Sequence, residues 1–385
     1  KSIIRSSVSE YTFPVETYYR PVESVSGTEG DLFEAIQQSV SELLDRDPGD
    51  ILIFLPTEKD IRTATKKLRG ANELNSTSRS IEILPLYARL GVDNQNKIFK
   101  PQKSLRIVLA TNVAESSITV PRIKYVIDTG TARISRYASR SKIQRLPVEK
   151  ISQASAKQRA GRCGRLGPGV CIRLFSEEDF DSRDPFTTPE IRRTNLASVI
   201  LQSKSMHMGD VESIDFLDPP RPEAIRDGYK TLFEIGATDA HRKLTSIGNR
   251  IQNFPCDPRI SRMILAANDE GVLADVLIIA AALETQDVRD RPAEKQKQAD
   301  AAHEQFKDSD SDFLVLLKIW DFFHQQKKGL SNNQLKKVMQ QNFLSFTRMR
   351  EWLEVFRQLR ELCLQQKIKI GSRRNDYDRI HRSLL

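Results

Sequence analysis

Between Asp50 and about Phe175 the chain alternates short apolar runs with polar stretches of helical length: DILIFL, EKDIRTATKKLRG, IEILPLY, SLRIVLAT and YVIDTG. Short runs rich in Ile, Val and Leu, separated by helix-length segments, predict buried parallel strands joined by crossovers, hence an α/β domain. Beyond Asp184 this rhythm stops. TTPEIRRTNLASVILQS predicts a helix with Thr188 as N-cap and Pro189 at its first position. PPRPEAIRDGYKTLFEIGA predicts a second helix ending at Gly236, and HRKLTSIGNRI a strand-like wing. From Pro255 onward the apolar period is helical, in ISRMILAANDEG, LADVLIIAAALE, SDFLVLLKIWDFF and LSFTRMREWLEVFRQLRELCLQ. The charged stretch from Gln286 to Asp312 predicts a solvated helix and a loop. This divides the chain into an α/β domain over 1–185, a small mixed domain over 186–254 and a helical bundle over 255–385.

At 385 residues the chain exceeds what a single core usually holds, which agrees with that division. Sixty Lys and Arg against 51 Asp and Glu leave a net charge of +9, favouring a polyanionic partner such as nucleic acid or an anionic membrane surface. VLADVLIIAAAL, from Val272 to Leu283, is too short to span a bilayer, which argues against a membrane role. The opening KSIIRSSVSEYTF has no uninterrupted apolar core for a signal peptide and reads as a chain entered midway. Cys163, Cys171, Cys256 and Cys363 form neither a CxxC pair nor a metal-finger spacing, so a reduced, cytoplasmic setting without a metal site is expected.

Candidate chemistry concentrates in QRAGRCGR, Gln158 to Arg165, where Arg159, Arg162 and Arg165 recur at spacing three around Gly161 and Gly164. An ordinary helix does not choose this pattern. Each internal glycine costs about 1 kcal/mol relative to alanine, and arginines three apart share one face and repel. Ser155 in SAKQ suits a capping box that starts a helix, which would put Arg162 and Arg165 in its first turns, where the dipole favours anions. Guanidinium forks there suit phosphate oxygens; the other reading is a basic helix on a nucleic-acid backbone. Upstream, LATNVAESSITVP follows a strand, so Thr111, Ser116, Ser117 and Thr119 belong to a loop beyond its carboxyl end, where open α/β sheets bind ligands. A Ser/Thr-rich turn satisfying its own backbone is the alternative. TARISRYASRSKIQRLPVEK carries Arg133, Arg136, Arg140, Lys142, Arg145 and Lys150 against Glu149 alone. It predicts a basic hairpin near 131–150, with RISRY and KIQRL as strands and ASRS as the turn.

ILIFLPTEKDI, LYARLGVDNQNKIFKP, ATNVAESSITVP, YVIDTG and QRAGRCGR, in this order and spacing, resemble the second RecA-like domain of superfamily 2 DEAH-box RNA helicases. DPPRPEAI, LTSIGNRIQNFPCDPRISRMIL and HEQFKDSDSDFLVLLKIWDFF extend the resemblance into a winged helix and a helical ratchet bundle, and the run from Gly130 to Arg165 is most similar to the bacterial HrpA branch. The resemblance implies a parallel-sheet RecA-like domain, then a winged-helix domain over 186–254, then an all-α ratchet-like bundle.

It further implies ATP-driven translocation of the 3′-to-5′ type and unwinding, with Gln158, Arg162 and Arg165 on the ATP phosphates and Arg165 as the arginine finger. Phe99 would stack on adenine, or else be a core aromatic. Ser117 and Thr119 would sense the nucleotide; Thr57, Thr111 and Asn112 would hold RNA, and Arg133, Arg136, Arg140 and Lys142 would grip it from the hairpin. The departures are Pro121, where many eukaryotic members carry Asp, and Leu55-Pro56-Thr57 in place of the commoner Leu-Thr-Gly. The chain contains neither a GxxxxGK[ST] loop nor an Asp-Glu-Ala-His sequence. Family members carry both in a first RecA-like domain, which also supplies the Mg²⁺ ligands. The chain is therefore expected to follow that domain, to work as a monomer with it and with single-stranded RNA as partners, and to be inactive alone. A non-catalytic nucleic-acid-binding or adaptor module is the competing reading.

Overall fold

A computed structural model describes residues 13–22, 31–71, 80–88, 90, 95–138, 143–292 and 295–385. The chain falls into two compact units, 1–194 and 195–385.

In the first unit, strands β1 (Val15–Tyr19), β2 (Asp50–Phe54), β3 (Ile81–Leu86), β4 (Leu105–Ala110), β5 (Ile123–Asp128) and β10 (Gly169–Arg173) form one sheet. All pairs are parallel, in the order β1-β10-β5-β2-β4-β3. Because strand side chains alternate, Ile51, Ile53, Ile107 and Leu109 face one side while Leu52, Phe54, Val108 and Ala110 face the other. The first side is covered by α1 (Leu32–Leu44) and α2 (Glu58–Gly70), which bury Ile36, Val40 and Leu43, and Ile61, Ala64 and Leu68, at helical spacing. The second side lies under the 3₁₀ turn Asn96–Phe99, the segment 111–122 and α3 (Gln153–Ala160), through Ile98, Ala114, Val120 and Ala160. The four strands read from the sequence are present, joined by β1 and β10, whose short runs it did not single out.

Two small antiparallel pairs follow β5. β6 (Thr131–Arg133) pairs with β9 (Val148–Lys150), and β7 (Arg136–Ala138) with β8 (Ile143–Arg145). This is the basic hairpin; its tip, with Arg140 and Lys142, lies outside the described residues. The short α4 (Glu177–Asp181) follows β10.

The predicted helix opening at Thr188 is corrected. Residues Glu190–Arg192 form a single 3₁₀ turn, which ends where the Arg193 guanidinium donates to the carbonyls of Thr188 (2.8 Å) and Ser135 (3.2 Å). The chain restarts as α5 (Ala197–Ser205) after Asn195, whose side chain accepts from the Ala197 amide at 2.8 Å.

The second unit is helical. After α5 come α6 (Pro222–Glu234), with Pro222 in its first turn and Gly236 beyond its end at φ +70°, and α7 (Ser246–Ile251). Where a wing was read, there is one antiparallel bridge, Thr238 to Leu244; Thr245 then caps α7 by accepting from the Gly248 amide at 3.0 Å. Next are α8 (Pro258–Glu270), α9 (Leu273–Leu283), α10 (Gln296–His303), α11 (Asp312–Lys327), α12 (Asn332–Gln341), α13 (Phe346–Gln365) and α14 (Tyr377–Leu384). Helix α9 is apolar around its circumference and packs against α8, α11, α13 and α14. Its one charge, the fully buried Asp275, is met by Arg373 Nε and the Arg374 amide, both at 2.8 Å. Among the described residues no helix is long and apolar enough to cross a membrane.

All four cysteines are free. Burial pushes the thiols of Cys163 and Cys256 up to about 12 and that of Cys363 to about 11, and raises Cys171 too. Since the thiolate is the reactive form, the folded protein at pH 8 is expected to react negligibly with a chromogenic disulfide reagent over minutes, and with all four thiols in denaturant. A fast-reacting thiol in the folded protein would contradict this packing.

Candidate functional site

Strands β4 and β5 flank β2 and run parallel, so the segment joining them must return along the sheet. Thr111 and Asn112 therefore stand at the carboxyl edge, and Thr119, shortly before Ile123, lies toward the amino edge. This refines the sequence placement, which put all the hydroxyls beyond the strand end. The segment is compact: Ala114 N donates to Thr111 O (3.2 Å), Glu115 N to Asn112 O (3.0 Å) and Ile118 N to Val113 O (3.0 Å). Ala114 is fully buried and pins it to the sheet. Asn112, Ser117 and Thr119 are exposed.

Helix α3 starts three residues before the predicted cap. Ser152 is the N-cap, accepting from the Ser155 amide at 3.2 Å, and Gly161 closes the helix. Arg162 and Arg165 thus follow the helix C-terminus rather than occupy its first turns, so a helix dipole does not explain an anion site here. They sit on successive tight turns, with amides of Arg162, Cys163 and Gly164 donating three residues back at 3.1, 3.2 and 3.3 Å.

The three arginines have three different fates, which resolves the repulsion implied by their spacing. Arg159 points into the protein, 1% exposed at its side chain. Its Nη1 donates to Asp128 Oδ1 (2.7 Å) and Thr131 O (3.2 Å), its Nε to Glu115 Oε2 (3.0 Å), and its guanidinium stacks 4.7 Å from the Phe54 ring centroid. Burial opposes this charge, but Asp128 and Glu115 outweigh it and hold the pKa above the ordinary arginine value. Arg162 donates from Nη2 to Glu115 O, while its buried Nη1 has no hydrogen-bond partner among the described residues. Burial, then the neighbouring Arg165, lower its pKa against the pull of Glu115. Arg165 donates from Nη1 to Thr119 Oγ1 at 2.8 Å.

Arg162 and Arg165, with Gln158, Lys157, Gly161 and Gly164, line a concavity of about 480 Å³ with the exposed Phe186 at its rim. The glycines present backbone without side chains there. An unpartnered buried guanidinium nitrogen beside a second arginine is a donor set for an anion. Asp128 and Glu115 are both engaged with Arg159, and among the described residues no cluster of His, Cys, Asp or Glu suits a metal ion. A larger hollow of about 770 Å³ at the amino edge, lined by Asp50, Lys103 and Arg122, contains none of the predicted residues.

The remaining candidates are dispersed. Phe99 is half-exposed on its 3₁₀ turn, so it is not a core aromatic. Thr57 caps α2, accepting from the Asp60 amide at 3.1 Å and donating to Asp60 Oδ2 at 2.5 Å; it lies at the same sheet edge as Thr111, since Leu55 N donates to Ala110 O at 2.8 Å. Arg133 is exposed, whereas Arg136 is held by Glu149 in a forked pair at 2.9 and 3.1 Å. Sequence reasoning missed Glu115 and gave Ser155 only a capping role. Ser155 Oγ donates to Glu115 Oε1 at 2.6 Å, so this one acid binds Ser155, Arg159 and Arg162. A single Glu among hydroxyl residues carries no signal until its 40-residue separation from Ser155 is closed by the fold.

Residues 33–167 match the helicase conserved C-terminal domain, and residues 257–316 the helicase associated domain (HA2), ratchet-like. The chain is 48% identical over 384 residues to the ATP-dependent RNA helicase HrpA of Escherichia coli (strain K12), covering 98% of this chain and 29% of that protein. It is 33% identical over 379 residues to the ATP-dependent RNA helicase DHX33 of Mus musculus, covering 96% of this chain and 53% of the relative. It thus spans under a third of the bacterial relative and about half of the mouse one. The crystal structure of the E. coli DExH-box NTPase HrpB aligns with a TM-score of 0.62 at 30% identity, over 71% of this chain and 33% of that one.

Replacing Arg159 with Met would leave Asp128 and Glu115 buried without their counter-charge. Breaking a buried pair typically costs about 3–5 kcal/mol, and a loss of that size is expected in urea unfolding of Arg159→Met. A loss below about 1 kcal/mol would show that the cluster does not hold this region together.

Proposed function

The chain belongs to the DEAH-box helicases of superfamily 2, on their HrpA branch, and on that footing we propose that it is the C-terminal helicase portion of an ATP-dependent RNA helicase. In this reading it supplies the arginine half of a split ATP site and a surface that grips RNA. Residues 1–185 act as the second RecA-like domain, 186–254 as the winged helix and 255–385 as the ratchet bundle. The winged helix would use α5, α6 and α7 with the Thr238–Leu244 bridge as a reduced wing.

The observation that carries the proposal is the donor set left over, among the described residues, once Arg159 is internally paired: Arg162 with its unpartnered Nη1, and Arg165 held by a threonine hydroxyl, on one concave surface with Gln158. A γ-phosphate at that surface would take the Arg162 fork. Arg165, swinging off Thr119, would neutralise charge that builds on the phosphoryl oxygens as water attacks phosphorus and the bond to the leaving diphosphate breaks. Half-exposed Phe99 offers a ring for the adenine, Thr119 brings a hydroxyl beside Arg165, and Ser117, exposed two residues earlier, is assigned to the nucleotide with it. Mg²⁺, when bound, would supply charge neutralisation at the phosphates; among the described residues the acids near the arginines, Asp128 and Glu115, are engaged with Arg159 and do not fit as its ligands.

RNA is assigned to the carboxyl edge, at Thr57, Thr111 and Asn112, and to the hairpin. There, among the described residues, Arg136 is paired with Glu149 and Lys150 with Asp179, while Arg133 and Arg145 are exposed; Arg140 and Lys142 lie outside those residues. Backbone contacts of this kind depend on salt and ignore sequence.

In the full-length protein, Arg165→Ala is expected to lower RNA-stimulated ATP turnover by about 10³-fold or more, the scale of arginine fingers elsewhere, with RNA affinity unchanged in fluorescence anisotropy. Near-normal turnover would refute the finger. RNA binding without any turnover in the unmodified full-length protein would favour a nucleic-acid-binding module instead.

A further inference from the structure

Thr111 and Asn112, assigned to RNA, and Ser117 and Thr119, assigned to the nucleotide, occupy two ends of one short segment, 111–119, and Glu115 stands between them. Its carboxylate accepts from Ser155 Oγ (2.6 Å) and Arg159 Nε (3.0 Å), and its main-chain carbonyl accepts from Arg162 Nη2. Four residues on, Thr119 accepts from Arg165 at 2.8 Å. The segment therefore holds both free arginines, one from its backbone and one from a hydroxyl.

From this geometry we infer that Glu115 is a positioning residue that ties Arg162 and Arg165 to the strand-contacting residues Thr111 and Asn112. The inference rests on the helicase reading above. The internal hydrogen bonds from Ala114, Glu115 and Ile118 make 111–118 a stiff turn with Ala114 as a buried pivot, so a displacement at Asn112 is passed on rather than absorbed. Where it is passed is set by the carboxylate. Anchored through Ser155 and Arg159 to helix α3, Glu115 fixes the carbonyl that receives Arg162 against the helix that carries Arg162. Without this anchor the polar links between the turn and the arginine segment among the described residues are the Arg162 and Arg165 bonds, beside the apolar packing of Ala114 with Ala160 and Cys163, and a strand at the carboxyl edge would move the turn without moving the arginines in register. Glu115 touches neither nucleotide nor strand in this assignment. Its charge acts on how far RNA accelerates hydrolysis, because Asp128 and Thr131 still hold Arg159, and with it α3, when that charge is removed.

The test uses the full-length protein carrying Glu115→Gln, which keeps the size and one acceptor but loses the charge, and Ser155→Ala, which removes only the bond to Oε1. ATP turnover is measured with and without a saturating single-stranded oligoribonucleotide, alongside RNA affinity by anisotropy and the thermal midpoint. Charge-assisted hydrogen bonds are worth enough to predict about a tenfold or greater fall in the stimulation ratio for Glu115→Gln. A smaller fall in the same direction is expected for Ser155→Ala. Basal turnover, KM for ATP without RNA, and RNA affinity should stay within about threefold. An unchanged stimulation ratio in a folded variant overturns the inference, as does a fall in basal and stimulated turnover by one common factor. If Glu115→Gln does not fold, the Ser155→Ala ratio decides by the same criteria. A wild-type protein without RNA-stimulated turnover would instead sink the helicase reading beneath it.

Discussion

A guanidinium withdrawn from water costs several kcal/mol unless carboxylates and other acceptors meet it, and everything about the candidate site depends on how Arg159 is met. Asp128 comes from the end of β5, Glu115 from the returning segment, Thr131 from the hairpin base, and the Phe54 ring from β2 beneath. Four chain segments converge on one side chain of α3. Pairing on this scale fixes the end of α3 against the sheet, and so fixes the direction in which the following turn presents Arg162 and Arg165. The motif is best understood as one structural arginine that holds two others in place.

The second constraint is topological. A parallel sheet forces each crossover to travel the length of the strands, and the stretch from Thr111 to Arg122 makes that journey without forming a long helix. Its two ends thus reach two different surfaces. Hydroxyl and amide groups at the carboxyl edge stand near Thr57, while Thr119 stands beside Arg165. On the proposed assignment, one stretch of chain can serve a polymer and a nucleotide because its two ends lie at different surfaces and Ala114 pins it midway.

Most of the α/β unit was legible from period alone: DILIFL, LRIVLA and IKYVID are strands buried on both faces, which no amphipathic helix would show, while IEILPL, at the sheet edge, buries only Leu84 and Leu86. The failures have a common cause. The caps read at Ser155 and Thr188 were local readings, overridden by Ser152 for α3 and by the Arg193 bonds to Thr188 and Ser135, while the stretch read as a wing after His241 keeps one bridge, Thr238 to Leu244, before Thr245 caps α7. The arginine motif was visible as composition, but its internal division was not. Nothing in the spacing of Arg159, Arg162 and Arg165 says which one meets Asp128, because that acid lies 31 residues away.

The buried carboxylate of Asp275 has a consequence for how the second unit is made. It lies inside the central helix α9, yet its acceptors are filled by Arg373, Arg374 and Asn375, about a hundred residues further on. During synthesis α9 leaves the ribosome long before those partners do, and a charge left inside an apolar helix without them resists burial. Helix α9 can collapse against α8 early but cannot settle until the Arg373 segment emerges. The packing of α9 thus waits on the docking of that segment, and a nascent chain paused before it exposes the apolar faces of α9 to chaperones and proteases.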